Sequence, residues 1–253
     1  MFLLAIPLGV LIGLSLGALG GGGSILTVPI FRYALGMGVK ESIGMGLGVV
    51  SLTSLVGMLR HWRQGNVELR ALAIFAPAAI LSTYGGARFA ALVPGVVQMV
   101  GLALVMGAAA IMMWSGAPAS RNPSGSSEGP TTTKRPRPEV IIGLGIGLGF
   151  LTGLLGVGGG FLVVPALVLF LGLDMKRAVG TSLGVISLNA ASGFAGYLGQ
   201  VTMDWSLIAG FTAMAMVGVF IGASLVPYLS TQNLRRGFAV FLVLVATYIL
   251  IKR

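Results

Sequence analysis

The sequence contains no cysteine and few charged residues. Without cysteine it can form neither a disulfide nor a thiolate metal site, and it has no cysteine nucleophile. Only 9% of its residues are charged, whereas soluble domains usually carry about 25%. Because 56% of the residues are hydrophobic and the mean hydropathy is +0.98, a soluble fold could not cover its own surface. The sequence therefore predicts a protein whose solvent is mainly lipid.

Acidic residues are scarce, and none lies in the middle of an apolar segment. A cation pump or a proton relay normally needs a carboxylate within its spans, so this distribution favours a neutral or anionic substrate. No nucleophile has an oriented base, so we predict no enzyme, no catalytic residue, no metal site and no cofactor. Most of the 16 basic residues lie between apolar runs or at their ends, which fits membrane topology better than binding of nucleic acid. The six acids are Glu41, Glu68, Glu128, Glu139, Asp174 and Asp204.

The apolar part of the chain consists of two similar halves. When the chain is aligned on itself, 13–57 matches 149–193 without gaps, and nineteen of the 45 positions are identical. This repeat alignment indicates duplicated membrane units. We predict a first transmembrane repeat over 1–115 and a second over 139–253, joined by a polar cytoplasmic linker over 116–138 that is rich in proline, serine and threonine.

Each half contains about five apolar segments, which predicts an all-α, polytopic transmembrane helix bundle. The second segment of each half is short. A helix over 24–37 would reach about 21 Å, whereas the hydrocarbon core is about 30 Å thick. These two segments are therefore predicted to be constrained spans or half-helices. The ten segments are predicted at 2–19, 24–37, 42–59, 69–90, 95–114, 140–155, 160–173, 178–197, 205–228 and 233–251.

Basic residues in the loops predict the orientation of the halves. Arg60, Arg63 and Arg70 follow the third segment, whereas the equivalent loop of the second half has no Lys or Arg. Conversely, Arg235 and Arg236 follow the ninth segment, where the first half has neutral residues. With five segments per half, these opposite signatures predict inverted repeats, with the linker cytoplasmic and both termini outside.

A glycine run interrupts each half, at Gly20–Gly23 and at Gly156–Gly160. Consecutive glycines disfavour a helix, and irregular backbone at membrane depth must be buried in protein or line a cavity. The helix that restarts presents free N–H groups and the positive end of its dipole, which together attract an anion. We therefore predict a substrate site near the membrane midplane at Gly22, Gly23, Ser24, Gly158, Gly159 and Gly160.

Polar side chains in the third segment of each half add candidate donors. They are Ser51 in the first half and Thr181, Ser182 and Asn189 in the second. Hydroxyls and an amide can donate hydrogen bonds to an oxyanion without carrying charge. Hydrogen bonding between helices is the alternative for each of them.

Two other features have structural interpretations. Gly9, Gly13 and Gly17 are spaced four apart, as close packing between membrane helices requires. The sole histidine, His61, stands beside Trp62 and basic residues at a predicted membrane boundary. We predict that it faces solvent or lipid headgroups.

The doubled motif Gly-x-x-Gly-x-Gly-Gly-Gly/Ser with a following proline resembles the sulfite exporter TauE/SafE family of membrane transporters. The stretch 178–183 and the Gly199-Gln200-Val201 sequence ahead of Asp204 resemble the same family. The resemblance covers nearly the whole chain outside the linker. It implies a transporter of the bacterial or archaeal inner membrane, in a family that moves sulfite, sulfoacetate and related organosulfur anions.

The sequence thus predicts a secondary transporter or facilitator for a small anion such as sulfite or a sulfonate. A passive anion channel and a structural membrane protein without transport are the alternatives. The predicted partners are the small anionic substrate and the lipid bilayer, and a homodimer is left open.

Overall fold

The computed structural model describes residues 2–114, 138–155, 159–228 and 230–251. These residues form an all-α bundle, as predicted. The predicted linker lies outside the described residues, apart from Pro138. In chain order the helices are α1 Phe2–Leu19, α2 Gly22–Pro29, α3 Val39–Arg63, α4 Leu69–Phe89, α5 Gly95–Trp114, α6 Pro138–Leu155, α7 Gly160–Leu169, α8 Met175–Tyr197, α9 Trp205–Leu225 and α10 Thr231–Ile251.

Four of the described helices are long and apolar enough to cross a membrane, namely α3, α4, α8 and α9. In α3 and α8, 67% and 72% of the most apolar window is buried, against 33% for α4 and 44% for α9. The α3–α8 pair is therefore the centre of the bundle, and α4 and α9 present more of their surface to the outside.

The second helix of each half is too short to cross a bilayer. α2 has 8 residues and continues into one turn of π-helix of 5 residues, Ile30–Ala34, while α7 has 10 residues. Even α2 and the π-turn together reach only about 20 Å at 1.5 Å per residue, against a hydrocarbon core of about 30 Å. Both are therefore half-helices and not constrained spans, the other form that the sequence allowed.

The halves pack against each other in a pattern that follows the repeat alignment. α1 packs along α9, and the equivalent helix α6 packs along α4. α3 packs on α8, and α5 packs on α10. Exchanging the two halves leaves this set of helix pairs unchanged, so the pattern indicates a pseudo-twofold axis between them.

Glycines allow the equivalent helix pairs to approach closely. A Cβ on Gly17 would lie 2.5 Å from the carbonyl oxygen of Val219, and one on Gly153 would overlap the carbonyl oxygen of Thr83. Gly17 and Gly153 occupy equivalent positions in the repeat alignment. No side chain fits at either glycine, so the glycines of α1 and α6 serve helix packing.

α3 and α8 run antiparallel and touch at equivalent residues. Ser51 Oγ donates to the carbonyl oxygen of Ser187 at 3.2 Å, and Ser187 Oγ donates to that of Ser51 at 3.0 Å. Leu47, which precedes Ser51, contacts the Cβ position of Gly193, which follows Ser187. The serine pair therefore lies on the pseudo-twofold axis, and Ser51 uses its hydroxyl in a contact between helices.

The orientation of the halves relative to the bilayer stays a prediction, and antiparallel central helices are what inverted repeats require. Because the chain has no cysteine, it is already a cysteine-free background, and a single introduced cysteine reports on which side of the membrane it lies. We expect Arg63→Cys, at the end of α3, to react with a membrane-impermeant maleimide only from the cytoplasmic side. Thr202→Cys, after α8, should react only from outside. Labelling of both residues from the same side of sealed vesicles would contradict the inversion.

Candidate functional site

The two glycine breaks come together in the fold. Gly20, between α1 and α2, has left-handed backbone with φ +73°, and Gly159, just before α7, has φ +79°. A Cβ on Gly160 would lie 2.7 Å from the Cα of Gly21. The breaks are therefore in backbone contact across the two halves, which is the arrangement that one anion facing both of them requires.

The starts of α2 and α7 lack side-chain caps. Their N-cap residues, Gly21 and Gly159, have no side chain that could bond to the first turn. The first four N–H groups of an α-helix have no acceptor within the helix, and this end carries about half a positive charge. Two such ends beside each other can bind one anion with backbone donors.

The other predicted residues of the breaks have distinct surroundings. Ser24 Oγ donates to the carbonyl oxygen of Gly21 at 2.8 Å, so its hydroxyl is used within the break. Gly23 packs against the backbone of α1, where a Cβ would overlap. Gly22 is the first residue of α2, and Gly158 lies outside the described residues.

Two predicted donors, Thr181 and Ser182, lie at the start of α8, and Ser182 contacts the first break. Ser182 is buried, and its Oγ lies 2.8 Å from the carbonyl oxygen of Val179 and 3.3 Å from that of Gly20. The Thr181 Oγ accepts the backbone N–H of Glu68 at 2.9 Å. Ser182 therefore supports the conformation of the break. The Thr181 hydroxyl is the acceptor in its bond to Glu68, so that bond does not use the Thr181 O–H as a donor.

Asn189 is a buried side chain with open hydrogen-bonding capacity. It is fully buried in α8, and neither Nδ2 nor Oδ1 has a hydrogen-bond partner among the described residues. Leaving a buried polar group unpaired costs about 1–3 kcal/mol. Buried polar groups in native proteins are nearly always paired, so an unpaired amide calls for a specific explanation, such as a ligand. Of the predicted donors, Asn189 is therefore the strongest candidate for contact with substrate.

Thr83 is a candidate that the sequence did not single out. Its hydroxyl is buried in α4 and has no partner in the described part of the chain. Its methyl group lies 3.4 Å from the Cβ position of Gly193, which follows Asn189 by one helical turn on α8. The hydroxyl run Ser82-Thr83-Tyr84 in the otherwise apolar α4 was a signal in the sequence, but the sequence did not show that α4 packs on α8.

His61 is buried, so the prediction that it faces solvent or headgroups is wrong. Its Nε2 lies 3.1 Å from the carbonyl oxygen of Gly17, in the last turn of α1. The flanking polar residues indicated a membrane boundary, but packing of α1 and α8 on this end of α3 removes the ring from solvent. Gln98, also in the first half, makes a comparable contact ahead of the second break, because its Nε2 donates to the carbonyl oxygen of Leu154 at 3.0 Å.

An open cavity of about 470 Å³ lies where α8 connects to α9. There the N–H of Asp204 lies 3.4 Å from the Sδ of Met45, and this contact is equivalent to that between Glu68 and Thr181. The described residues contain no group of three or more His, Asp or Glu side chains that could bind a metal ion. The cavity is lined by Met37, Glu41, Met45, Thr202, Met203, Asp204, Trp205 and Ser206.

Comparison with known proteins gives the family. The model of the sulfite exporter TauE/SafE family matches residues 5–249. The chain belongs to the sulfite exporter TauE/SafE family. It is 29% identical over 245 residues to a probable membrane transporter protein of Xylella fastidiosa, and the alignment covers 96% of this chain and 92% of the relative.

Further relatives of this TauE/SafE protein come from distant organisms. A probable membrane transporter protein of Methanocaldococcus jannaschii is 28% identical, over 84% of this chain and 80% of the relative. One of Bacillus subtilis is 25% identical, over 84% of this chain and 85% of the relative. No solved structure matches the chain. Family and relatives together make this protein a membrane transporter, and the relatives' names give no substrate.

Proposed function

We propose that this TauE/SafE protein is a multi-pass transporter of a bacterial or archaeal inner membrane, and that it moves sulfite or related organosulfur anions such as sulfonates. The contact between the two glycine breaks, Gly21 against Gly160, is the observation that carries the proposal. It gives an anion two sets of backbone N–H donors from opposite halves of the protein.

The charge of such a site suits a transporter. Each helix start contributes about half a positive charge, so the two starts together attract an anion about as strongly as one fixed cation. No charged side chain is needed at membrane depth, where an ionised group is costly. Binding of this strength is reversible, as repeated loading and release require.

Specificity for a small oxyanion comes from neutral donors beside the breaks. Sulfite and sulfonate groups present several oxygen atoms that accept hydrogen bonds. The amide of Asn189 and the hydroxyl of Thr181 would donate to oxygens that the backbone N–H groups leave free. Equivalent positions in the first half, Thr53 and Met45, do not supply the same groups. The anion would therefore be held mainly by the second half.

Alternating access follows from the pairing of the halves. In transporters with inverted repeats, one repeat or bundle rocks against the other around a fixed site. Here the half-helices meet at the contact between halves, so a small rotation about the Ser51–Ser187 crossing would open the site to one side. The cavity beside Asp204 would be the entrance on one side of the membrane.

Flux into liposomes tests the proposal. We expect purified protein to carry sulfite and methanesulfonate with saturable kinetics, and unlabelled internal anion to drive accumulation of labelled anion. Flux that stays linear at high concentration, without accumulation, would indicate a passive channel instead. Flux equal to that of empty liposomes would leave only a structural role. A thermal-shift screen ranks the anions beforehand, because a ligand that binds only the native state raises its melting temperature.

A further inference from the structure

His61 holds the end of α1 through one ring nitrogen and leaves the other without a partner. The ring is fully buried, and Nε2 lies 3.1 Å from the carbonyl oxygen of Gly17. Because a carbonyl only accepts, Nε2 carries the hydrogen and a neutral ring has a bare Nδ1. That Nδ1 is buried and has no hydrogen-bond partner among the described residues.

The ring lies between the first glycine break and the candidate donors of α8. Gly17 precedes Gly20 by about one helical turn. On the other side, the Cβ of His61 lies 3.0 Å from the Cβ position of Gly180, which is followed by Thr181 and Ser182. His61 therefore contacts both the turn of α1 ahead of the break and the start of α8.

The second break is held by a group that does not titrate. The Gln98 side chain donates from Nε2 to the carbonyl oxygen of Leu154 at 3.0 Å, just before that break. Tyr197, the residue equivalent to His61 in the repeat alignment, lies with its hydroxyl oxygen 3.4 Å from the same Nε2. Of these two supports, only the one at the first break contains a side chain whose ordinary pKa lies between about 5 and 8.

The charged groups around His61 are mostly basic. α1 contributes none. α3 contributes Arg60 and Arg63, and the segment whose Asn66 N–H bonds to the carbonyl oxygen of His61 leads to Glu68 and Arg70. The first turn of α8 adds Lys176 and Arg177, and the N-cap residue of α8, Asp174, is acidic.

A protonated His61 would need an anion. A proton at Nδ1 adds positive charge to a basic surrounding and creates a buried N–H donor without an acceptor, which is costly. An oxyanion at the first break would provide both the acceptor and the opposite charge. Proton and anion then enter together, and the buried site gains no net charge from a singly charged anion.

We propose that His61 takes up a proton from water at Nδ1 when the anion binds, so that anion transport is coupled to protons through this residue. This inference rests on the proposed function, since it requires an anion at the glycine breaks. By thermodynamic reciprocity, anion must raise the titration midpoint of His61 as much as acid strengthens anion binding.

Binding of methanesulfonate to the purified protein tests the coupling, because this anion stays singly ionised between about pH 5.5 and pH 7.5. We expect its Kd to fall about tenfold from the higher to the lower pH, within the usual range of coupling between sites. In His61→Gln the Kd should be the same at both pH values. Glutamine can still donate to the Gly17 carbonyl, as Gln98 does at Leu154, so it removes the titration while keeping a donor.

A second measurement uses only the wild-type protein, so it does not depend on how the variant folds. His61 is the sole histidine, so its labelled ring gives one NMR signal that reports protonation directly. We expect saturating methanesulfonate to move its titration midpoint upward. A midpoint that anion leaves unchanged, or the same pH dependence of Kd in wild type and His61→Gln, overturns the coupling while the proposed function stands. No binding at either pH overturns both.

Discussion

Replacing Asn189 with leucine should weaken binding of sulfite about 10- to 100-fold while raising the thermal stability of the unliganded protein. A hydrogen bond to a charged group contributes about 1.5–3 kcal/mol, and about 1.4 kcal/mol corresponds to a factor of ten in Kd. Leucine has a similar size and needs no partner. It therefore removes the cost of a buried amide whose two polar atoms are unpaired in the described part of the chain. Titration calorimetry and thermal unfolding measure the two effects.

Thr53→Val is the matched control, because Thr53 occupies the equivalent position in the first half. Its Oγ1 already donates to the carbonyl oxygen of Val49 at 2.7 Å. We expect unchanged sulfite affinity and a stability loss of about 1 kcal/mol or less. An Asn189→Leu protein that binds sulfite like wild type, or that unfolds at a lower temperature, would show that the amide is a structural group.

Replacing Gly160 with leucine should lower anion flux about 100-fold or more. A Cβ at this position already lies 2.7 Å from the Cα of Gly21, so any side chain must push the two breaks apart. Displacement of a binding geometry by about 1 Å can cost about 100-fold in rate. Flux of labelled sulfite into liposomes measures the loss. Gly160→Ala should give a smaller loss, since one methyl group displaces the backbone less.

Gly147→Leu tests whether leucine as such is harmful. Gly147 lies on an exposed face of α6, with no heavy atom within 4 Å of its Cβ position. This variant should insert and transport like wild type. Size-exclusion profiles show whether each protein is folded before flux is compared. A monodisperse Gly160→Leu protein with wild-type flux would show that transport does not depend on the contact between the breaks.

The order of elements could be predicted because each depends on local sequence. Every predicted apolar segment coincides with a helix, and α2 begins at Gly22, inside the predicted glycine run. The short length of the second segments also followed from local composition. Half-helices result because glycines end α1 just before α2 and because a helix as short as α2 or α7 cannot cross a bilayer.

The polar contacts of the site could not be predicted, because they depend on which helices meet. The same hydroxyl chemistry has different uses in Ser182, which lies against the carbonyl oxygen of Gly20, and in Thr83, which has no partner among the described residues. His61 is beside basic residues in the sequence, but in the fold α1 and α8 pack against it and bury it. The repeat alignment predicted which positions are equivalent. It did not predict that α1 packs on α9 or that Gly21 touches Gly160.

The central claim is that the two glycine breaks, in contact with each other, bind one small anion. Titration of sulfite into the purified wild-type protein and, in parallel, into Gly160→Leu and Gly147→Leu tests this most directly. We predict saturable binding of one anion per chain in wild type and in Gly147→Leu, and no measurable binding in folded Gly160→Leu. Equal binding by all three proteins would place the anion elsewhere and contradict the account.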